Sequence, residues 1–206
     1  MTFRFQRRSQ RVVLMTLAAT AIVGSLSACV PLAVGGAVVG TLVVIDRRTS
    51  GTQLEDEGIE FRASNRTKEV MGDKGHINVT SYNRQVLLTG EAPTAKDREL
   101  AEKAVAGVDN VRSVVNELAV MPNSTLTQRS NDTLITGKVK ASFVDAKDIS
   151  LNAFKIVTER NTVFLMGRVT PREVTRATEI ARGVGGGEKV VRVFEIISED
   201  ELARYQ

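Results

Sequence analysis

Ile77-Asn-Val-Thr-Ser-Tyr-Asn-Arg-Gln-Val-Leu-Leu-Thr-Gly90 is echoed later in the chain by Phe154-Lys-Ile-Val-Thr-Glu-Arg-Asn-Thr-Val-Phe-Leu-Met-Gly167. In each stretch two runs rich in Val, Ile, Leu and Thr flank a polar pair, Asn83-Arg84 or Arg160-Asn161. Two β-prone runs around a two-residue polar turn read as a hairpin. An internal repeat of this kind organises the whole sequence and is read before anything else.

Working outward, each terminal Gly is followed by a helix start. Thr94-Ala-Lys-Asp97 and Thr170-Pro-Arg-Glu173 have the capping-box form, with Pro171 at the first helical position. Leu100, Ala101, Ala104 and Val108 are the expected buried stripe of the first of these helices. Val174, Ala177, Ala181 and Val184 are that of the second. Gly107 and Gly183 mark helix ends. Third strands are expected over 111–120 and 189–197. Upstream of the second hairpin a helix is expected over Asp132–Phe143, capped by Asn131 or Asp132, with Ile135, Val139 and Phe143 at i, i+4, i+8. Gln53–Val70 is its counterpart, with Ile59 aligned to Ile135. Each copy is therefore αββαβ, an α+β unit with a small mixed sheet and two helices. Roughly 70 residues is small for an independent core, so the copies are expected to steady each other.

The 206 residues and 42% apolar content suit one ordinary domain or two small ones. The net charge of +4 comes from the start of the chain, where Arg4, Arg7, Arg8 and Arg11 stand without an acid. Setting those four bases aside leaves 24 bases against 24 acids, which argues against nucleic acid as a partner. Residues 1–11 are basic and 12–24 apolar but too short to span a bilayer at roughly 20 residues. Leu26-Ser27-Ala28-Cys29 then resembles a bacterial lipobox, with Cys29 the only cysteine. Residues 1–28 are read as a lipoprotein signal and 29–52 as a lipidated tether. No cofactor is expected beyond the diacylglycerol and N-acyl chains on Cys29. In the lipoproteins that this chain resembles, an Asp after the Cys favours retention in the inner membrane, so the likeness implies that Val30 directs the chain to the outer membrane. Within the tether, Gly36 and Gly40 make a small-xxx-small spacing, and Arg47 and Arg48 are expected near anionic headgroups. The remaining bounds are 53–121 and 129–197 for the two copies, 122–128 for a linker and 198–206 for a tail.

The element order, the Gly after each second strand and the Thr-capped helix that follows resemble the BON domain. The runs carrying the likeness are Gly51-Thr-Gln, Ile77-Asn-Val-Thr, Val86-Leu-Leu-Thr-Gly90, Ser130-Asn-Asp-Thr, Lys138-Val, Val163-Phe-Leu-Met-Gly167 and Thr170-Pro-Arg-Glu173. Two such domains behind a lipobox resemble dual-BON outer-membrane lipoproteins. The resemblance implies binding of anionic phospholipid through the first helix of the second domain. It also implies a role in envelope integrity, often near the division site, and no catalysis.

Charge agrees with that assignment. Residues 53–121 hold 9 bases and 12 acids, whereas 129–197 hold 12 bases and 8 acids. An anionic surface attracts the second copy. On its first helix, Leu134, Gly137, Lys138 and Ala141 lie away from the core stripe and are the expected phospholipid-binding residues. Leu134 and Lys138, four apart, sit side by side, so that Leu inserts while the ammonium meets phosphate. The alternative is an envelope adaptor, docking a protein through the acidic copy or a strand edge. An enzyme is disfavoured because no set of nucleophile, base and orienting group is visible. Gly183-Val-Gly-Gly-Gly187 follows a helix and precedes a strand, the wrong order for a phosphate loop. His76 lacks metal partners and is expected at the surface. The carboxylate pairs Asp56/Glu57 and Asp145/Asp148 are expected to be solvated.

Overall fold

The computed structural model describes residues 46–205. The signal, Cys29 and the apolar part of the tether lie outside the described residues. Helix α1 spans Ser50–Met71, followed by β1 (His76–Tyr82), β2 (Gln85–Ala92), α2 (Ala95–Ala106), β3 (Ser113–Asn116) and β4 (Ala119–Val120). The second copy runs α3 (Leu126–Asp145), β5 (Phe154–Glu159), β6 (Thr162–Val169), α4 (Pro171–Gly183) and β7 (Lys189–Ile196), then a short α5 (Glu199–Leu202).

Both hairpins form as the repeat predicts. β1 pairs antiparallel with β2 and β5 with β6, each closing on a two-residue turn. Asn83, Arg84, Arg160 and Asn161 all have positive φ, from 49° to 65°, the geometry that matches the twist of paired strands. The third strands add in parallel, β3 and β4 on β2, and β7 on β6. Each sheet is thus small and mixed.

Burial shows how the copies meet. In the first, Ile59, Ala63, Ala101 and Val105 of α1 and α2 pack on Val86 and Leu88 of β2. In the second, Ile135, Val139, Phe143, Ala177 and Ala181 pack on Val163 and Leu165 of β6. The opposite faces of the two sheets meet each other. Tyr82, Leu87 and Val115 oppose Phe164, Met166, Val191 and Val193 in a third apolar cluster. Helices therefore lie on the outer faces of two stacked sheets. Both faces of each sheet are covered, which is why β2 and β6 read as near-continuous apolar runs.

Several sequence expectations are corrected. α3 begins at Leu126, not Asp132, because Thr125 and Gln128 form a reciprocal capping box inside the expected 122–128 linker. Asp132 caps no helix. It is buried and accepts the backbone N–H groups of Arg160 and Asn161 at 2.9 and 2.8 Å. Asp56, expected in solvent, does the same for Asn83 and Arg84 at 2.8 and 2.7 Å and also accepts the Ser81 hydroxyl. Of the expected α2 stripe Ala101 is buried and Val108 packs on the core, but Leu100 is 40% exposed, and Val105, which the stripe left out, is buried in its place. The 198–206 tail is partly folded: Ser198 caps α5, Leu202 is buried, and Glu201 and Tyr205 hold Arg168.

The tether's end also differs. Arg47 and Arg48 do not reach toward headgroups. Arg47 is buried against Glu173 through two bonds of 2.8 and 2.6 Å, and donates to the Arg168 carbonyl. Arg48 pairs with Asp46 and Asp56 and stands 4.2 Å above the Tyr82 ring. The planar guanidinium fork matches a carboxylate well enough to be buried with it.

These pairs set a pH dependence. Burial alone would raise the pKa of Asp56, but hydrogen bonds from Ser81, Arg84, Arg48 and Asn83 outweigh it and hold it below the ordinary value. Burial likewise opposes, and the Arg47 and Thr170 bonds outweigh it, at Glu173. A depressed folded pKa gives stability that is complete above the unfolded value of about 4 and is lost as pH falls through the folded one. Glu159 works the other way, since burial, with Glu91 and Asp132 nearby, raises its pKa. The expected result is a urea midpoint that falls between about pH 5 and pH 3, with a shallower fall in Asp56→Asn. An equally steep fall in that variant removes Asp56 from the account.

Candidate functional site

Three of the four expected contact residues follow from how α3 packs. Ile135, Val139 and Phe143 bury one side of the helix, so Leu134, Lys138 and Ala141 face outward. Gly137 is open as well: a Cβ there would meet nothing within 4 Å. The structure thus brings all four to one solvent-facing surface, with Leu134 64% exposed. Lys138 is exposed, and among the described residues no carboxylate pairs with it.

The early start of α3 extends that surface beyond what the sequence reading identified. Leu126 and Val144 are 79% and 66% exposed and fall on the same side as Leu134, Gly137 and Ala141 at 100° per residue. From Leu126 to Val144 the stripe is about 27 Å long at 1.5 Å per residue. Lys138 and Lys140 flank it, and Lys147 follows its end. The signal that would have found Leu126 is Thr125-x-x-Gln128, hidden because its Thr closes the Pro122-Asn-Ser-Thr run that reads as a linker.

The first copy carries a lesser version. Leu54 and Phe61 are exposed, seven residues apart on α1 with Gly58 between them. Their neighbours Glu55, Glu57 and Glu60 make that helix acidic.

The other noted groups have structural settings. Arg176 pairs with Asp148 and Glu179 at the surface, and Arg172 donates to the Asp148 carbonyl. His76 is half-buried at the seam between the copies. Burial, and then the nearby Arg129, hold its pKa below the usual value against the pull of Glu91. Among the described residues no His, Cys, Asp or Glu group is arranged to hold a metal, and no helix is long and apolar enough to cross a membrane.

The BON domain family pattern matches residues 60–122 and again 131–198, the two αββαβ units just described. The chain is a BON-domain protein. It is 37% identical over 175 residues to the outer membrane lipoprotein DolP of Haemophilus influenzae, covering 84% of this chain and 90% of that one. It is also 35% identical over 155 residues to the 21 kDa hemolysin of Actinobacillus pleuropneumoniae, covering 74% and 80%. The two tandem BON domains make it a DolP-like protein of α+β class, and the likeness supports an outer-membrane lipoprotein. The relatives belong to a family not known for enzymes. A solved structure of CdsD, a structural protein of the type III secretion system of Chlamydia trachomatis, is similar with a TM-score of 0.30 at 9% identity, covering 68% of this chain and 95% of that one.

Proposed function

We propose that acyl chains on Cys29 hold this BON-domain protein at the periplasmic face of the outer membrane. There its second domain binds anionic phospholipid through α3 and supports envelope integrity, including at the division site. The observation that carries this reading is the coincidence of two features on one helix face. Leu126, Leu134 and Val144 are exposed there, and Lys138 lies beside them without an acidic partner. An exposed apolar stripe flanked by lysines suits a headgroup boundary, where methyl groups enter the acyl region and ammonium groups meet phosphate. An anchor plus a protein contact holds a membrane more firmly than either alone.

The test is flotation of the mature chain carrying Cys29→Ser with vesicles of phosphatidylglycerol or phosphatidylcholine. Binding is expected to favour phosphatidylglycerol. Leu134→Glu is expected to weaken it about tenfold, equivalent to roughly 1.4 kcal/mol. Leu126→Glu should act in the same direction. Equal binding to both vesicles defeats the reading.

A second reading, an adaptor for an envelope protein, rests on Leu54 and Phe61 of the acidic copy. In-cell crosslinking from α1 that yields a discrete protein adduct, unchanged by Leu134→Glu, favours it.

A further inference from the structure

The two copies treat their free sheet edges differently. In the first, the hairpin closes on Tyr82 and Gln85, so the next residue back, Ser81, turns its N–H and C=O away from β2. Both groups are occupied. Glu60 Oε1 accepts the Ser81 N–H at 2.7 Å, and Lys155, reaching over from the second copy, donates its ammonium to the Ser81 carbonyl at 3.1 Å. Lys155 and Glu60 also pair with each other. The edge is plugged by an ammonium between a carbonyl and a carboxylate.

The repeat maps each member of that plug onto the second copy. Glu60 becomes Thr136, Ser81 becomes Thr158, and Lys155 becomes Asn78. By the same hairpin register, around Glu159 and Thr162, Thr158 presents its carbonyl outward. Thr136 is too short to act as Glu60 does, and its hydroxyl donates to Thr158 Oγ1 at 2.8 Å. Asn78 is too short to act as Lys155 does and donates to Glu159 Oε2 at 2.7 Å. What remains is a groove of about 380 Å³ lined by these three residues with His76, Arg129 and Glu159.

Charge in the groove is unbalanced at one point and available at another. Glu159 is 3% exposed, yet among the described residues no Lys or Arg pairs with it. Burial disfavours its ionised form first, and the carboxylates of Glu91 and Asp132 add to this, while the Asn78 amide and the nearby Arg160, which is bonded elsewhere, offset it only in part. Buried with one amide donor, the carboxyl is held toward its neutral form until a cation joins it, and a bound ammonium is what lets it ionise. Arg129 uses Nε and Nη2 on Ser124, leaving Nη1 without a partner among the described residues. Asp132 also lines the groove, but both its oxygens already accept the Arg160 and Asn161 N–H groups, so Glu159 and Arg129 are the acid and base that face the opening, beside the helix whose outer side carries the apolar stripe.

We infer that this groove receives a phosphoethanolamine headgroup, its primary ammonium between the Glu159 carboxylate and the Thr158 carbonyl and its phosphate on Arg129. The ammonium takes the place that Lys155 Nζ takes in the first copy. A zwitterion satisfies both ends, whereas a lone lysine side chain leaves Arg129 unused. Choline, with no N–H to donate, meets neither acceptor by hydrogen bonding. Assigning the headgroup to a phospholipid rests on the reading that α3 lies on the bilayer.

The test uses the mature chain with Cys29→Ser and follows the backbone amide signals of Asn78, Thr136 and Thr158 by NMR. Titration with O-phosphoethanolamine is expected to shift them saturably, at least tenfold more tightly than phosphocholine or inorganic phosphate. Asn78→Lys combined with Thr136→Glu copies the filled site of the first domain. That variant should lose the response while still binding phosphatidylglycerol vesicles. Should it fail to fold, Glu159→Gln, which keeps the shape, should weaken phosphoethanolamine at least tenfold. No saturable shift, equal response to phosphocholine, or full binding by Glu159→Gln overturns the assignment. Tighter binding of Nα-acetyl-lysine methylamide than of phosphoethanolamine also overturns it and points to a partner protein's lysine. Vesicle binding without a headgroup response removes the groove alone; a headgroup response without vesicle binding removes the α3 reading and the lipid source, leaving a site for the soluble compound.

Discussion

Arg47→Ala is expected to lower the unfolding free energy by about 3–5 kcal/mol, the usual cost of stranding one half of a buried ion pair. The geometry leaves little room for compensation. Arg47 and Glu173 side chains are 5% and 3% exposed and meet through two parallel bonds. With Arg47 gone, the Glu173 carboxylate keeps only the Thr170 N–H, at 3.0 Å, and the Arg168 carbonyl loses its donor. The capping box of α4 depends on the same carboxylate, so the loss spreads to the helix start. The pair joins positions 126 residues apart, and the denatured chain has no such contact to lose. Arg47→Met with Glu173→Met should recover a large part of the loss, since replacing both charges avoids the stranded carboxylate. Urea unfolding measures both. A change under about 1 kcal/mol for Arg47→Ala, small on the scale of a buried pair, would show that water reaches Glu173. The consequence for function lies in where the chain enters the folded unit. Arg47 holds the second copy and Arg48 holds Asp56 of the first, so the end of the tether is bonded to both. Whatever precedes Asp46 therefore joins the folded unit at a point bonded to both copies.

What could be read from sequence was what repeats locally. The hairpins carry their own signature, because a two-residue polar turn between β-prone runs has few other solutions. The stripe Ile135, Val139, Phe143 identified the inner side of α3 and, by subtraction, its outer side. Contacts made across tens of residues left no local mark. Asp56 and Asp132 look like a solvated acid and a helix cap, since nothing near them in sequence shows that a turn 27 or 28 residues away supplies their donors. Their common offset from Ile59 and Ile135 was the available clue: an acid kept three residues before the same core position in both copies. Arg47 was misread for a related reason. Two arginines after an apolar stretch fit a headgroup region, and the competing carboxylate lies far along the chain. The groove beside β5 was invisible because it is defined by what Asn78 and Thr136 fail to fill.

Gly90→Ala is expected to be the most damaging methyl that can be added to either hairpin, at about 3–5 kcal/mol, combining backbone strain with overpacking. Gly90 has φ of 111°, a region L-residues rarely enter, and it lies opposite Ile77 in the β1–β2 ladder. A Cβ there would sit against the His76 carbonyl oxygen, well inside van der Waals contact, and that oxygen belongs to backbone that cannot swing away. Relief requires β1 to shift, and β1 also supplies Asn78 to Glu159 and Tyr82 to the seam between the sheets. Gly167 occupies the equivalent place in the second copy. Its Cβ would crowd the Ala153 carbonyl, but its φ is not in the positive region, so only the steric part applies. Gly167→Ala should therefore cost less, by about the 1–3 kcal/mol attributed to strain. Paired urea titrations of the two variants decide the matter. Equal losses would mean that the conformation of Gly90 contributes nothing and that the repeat's terminal glycines are kept for space alone.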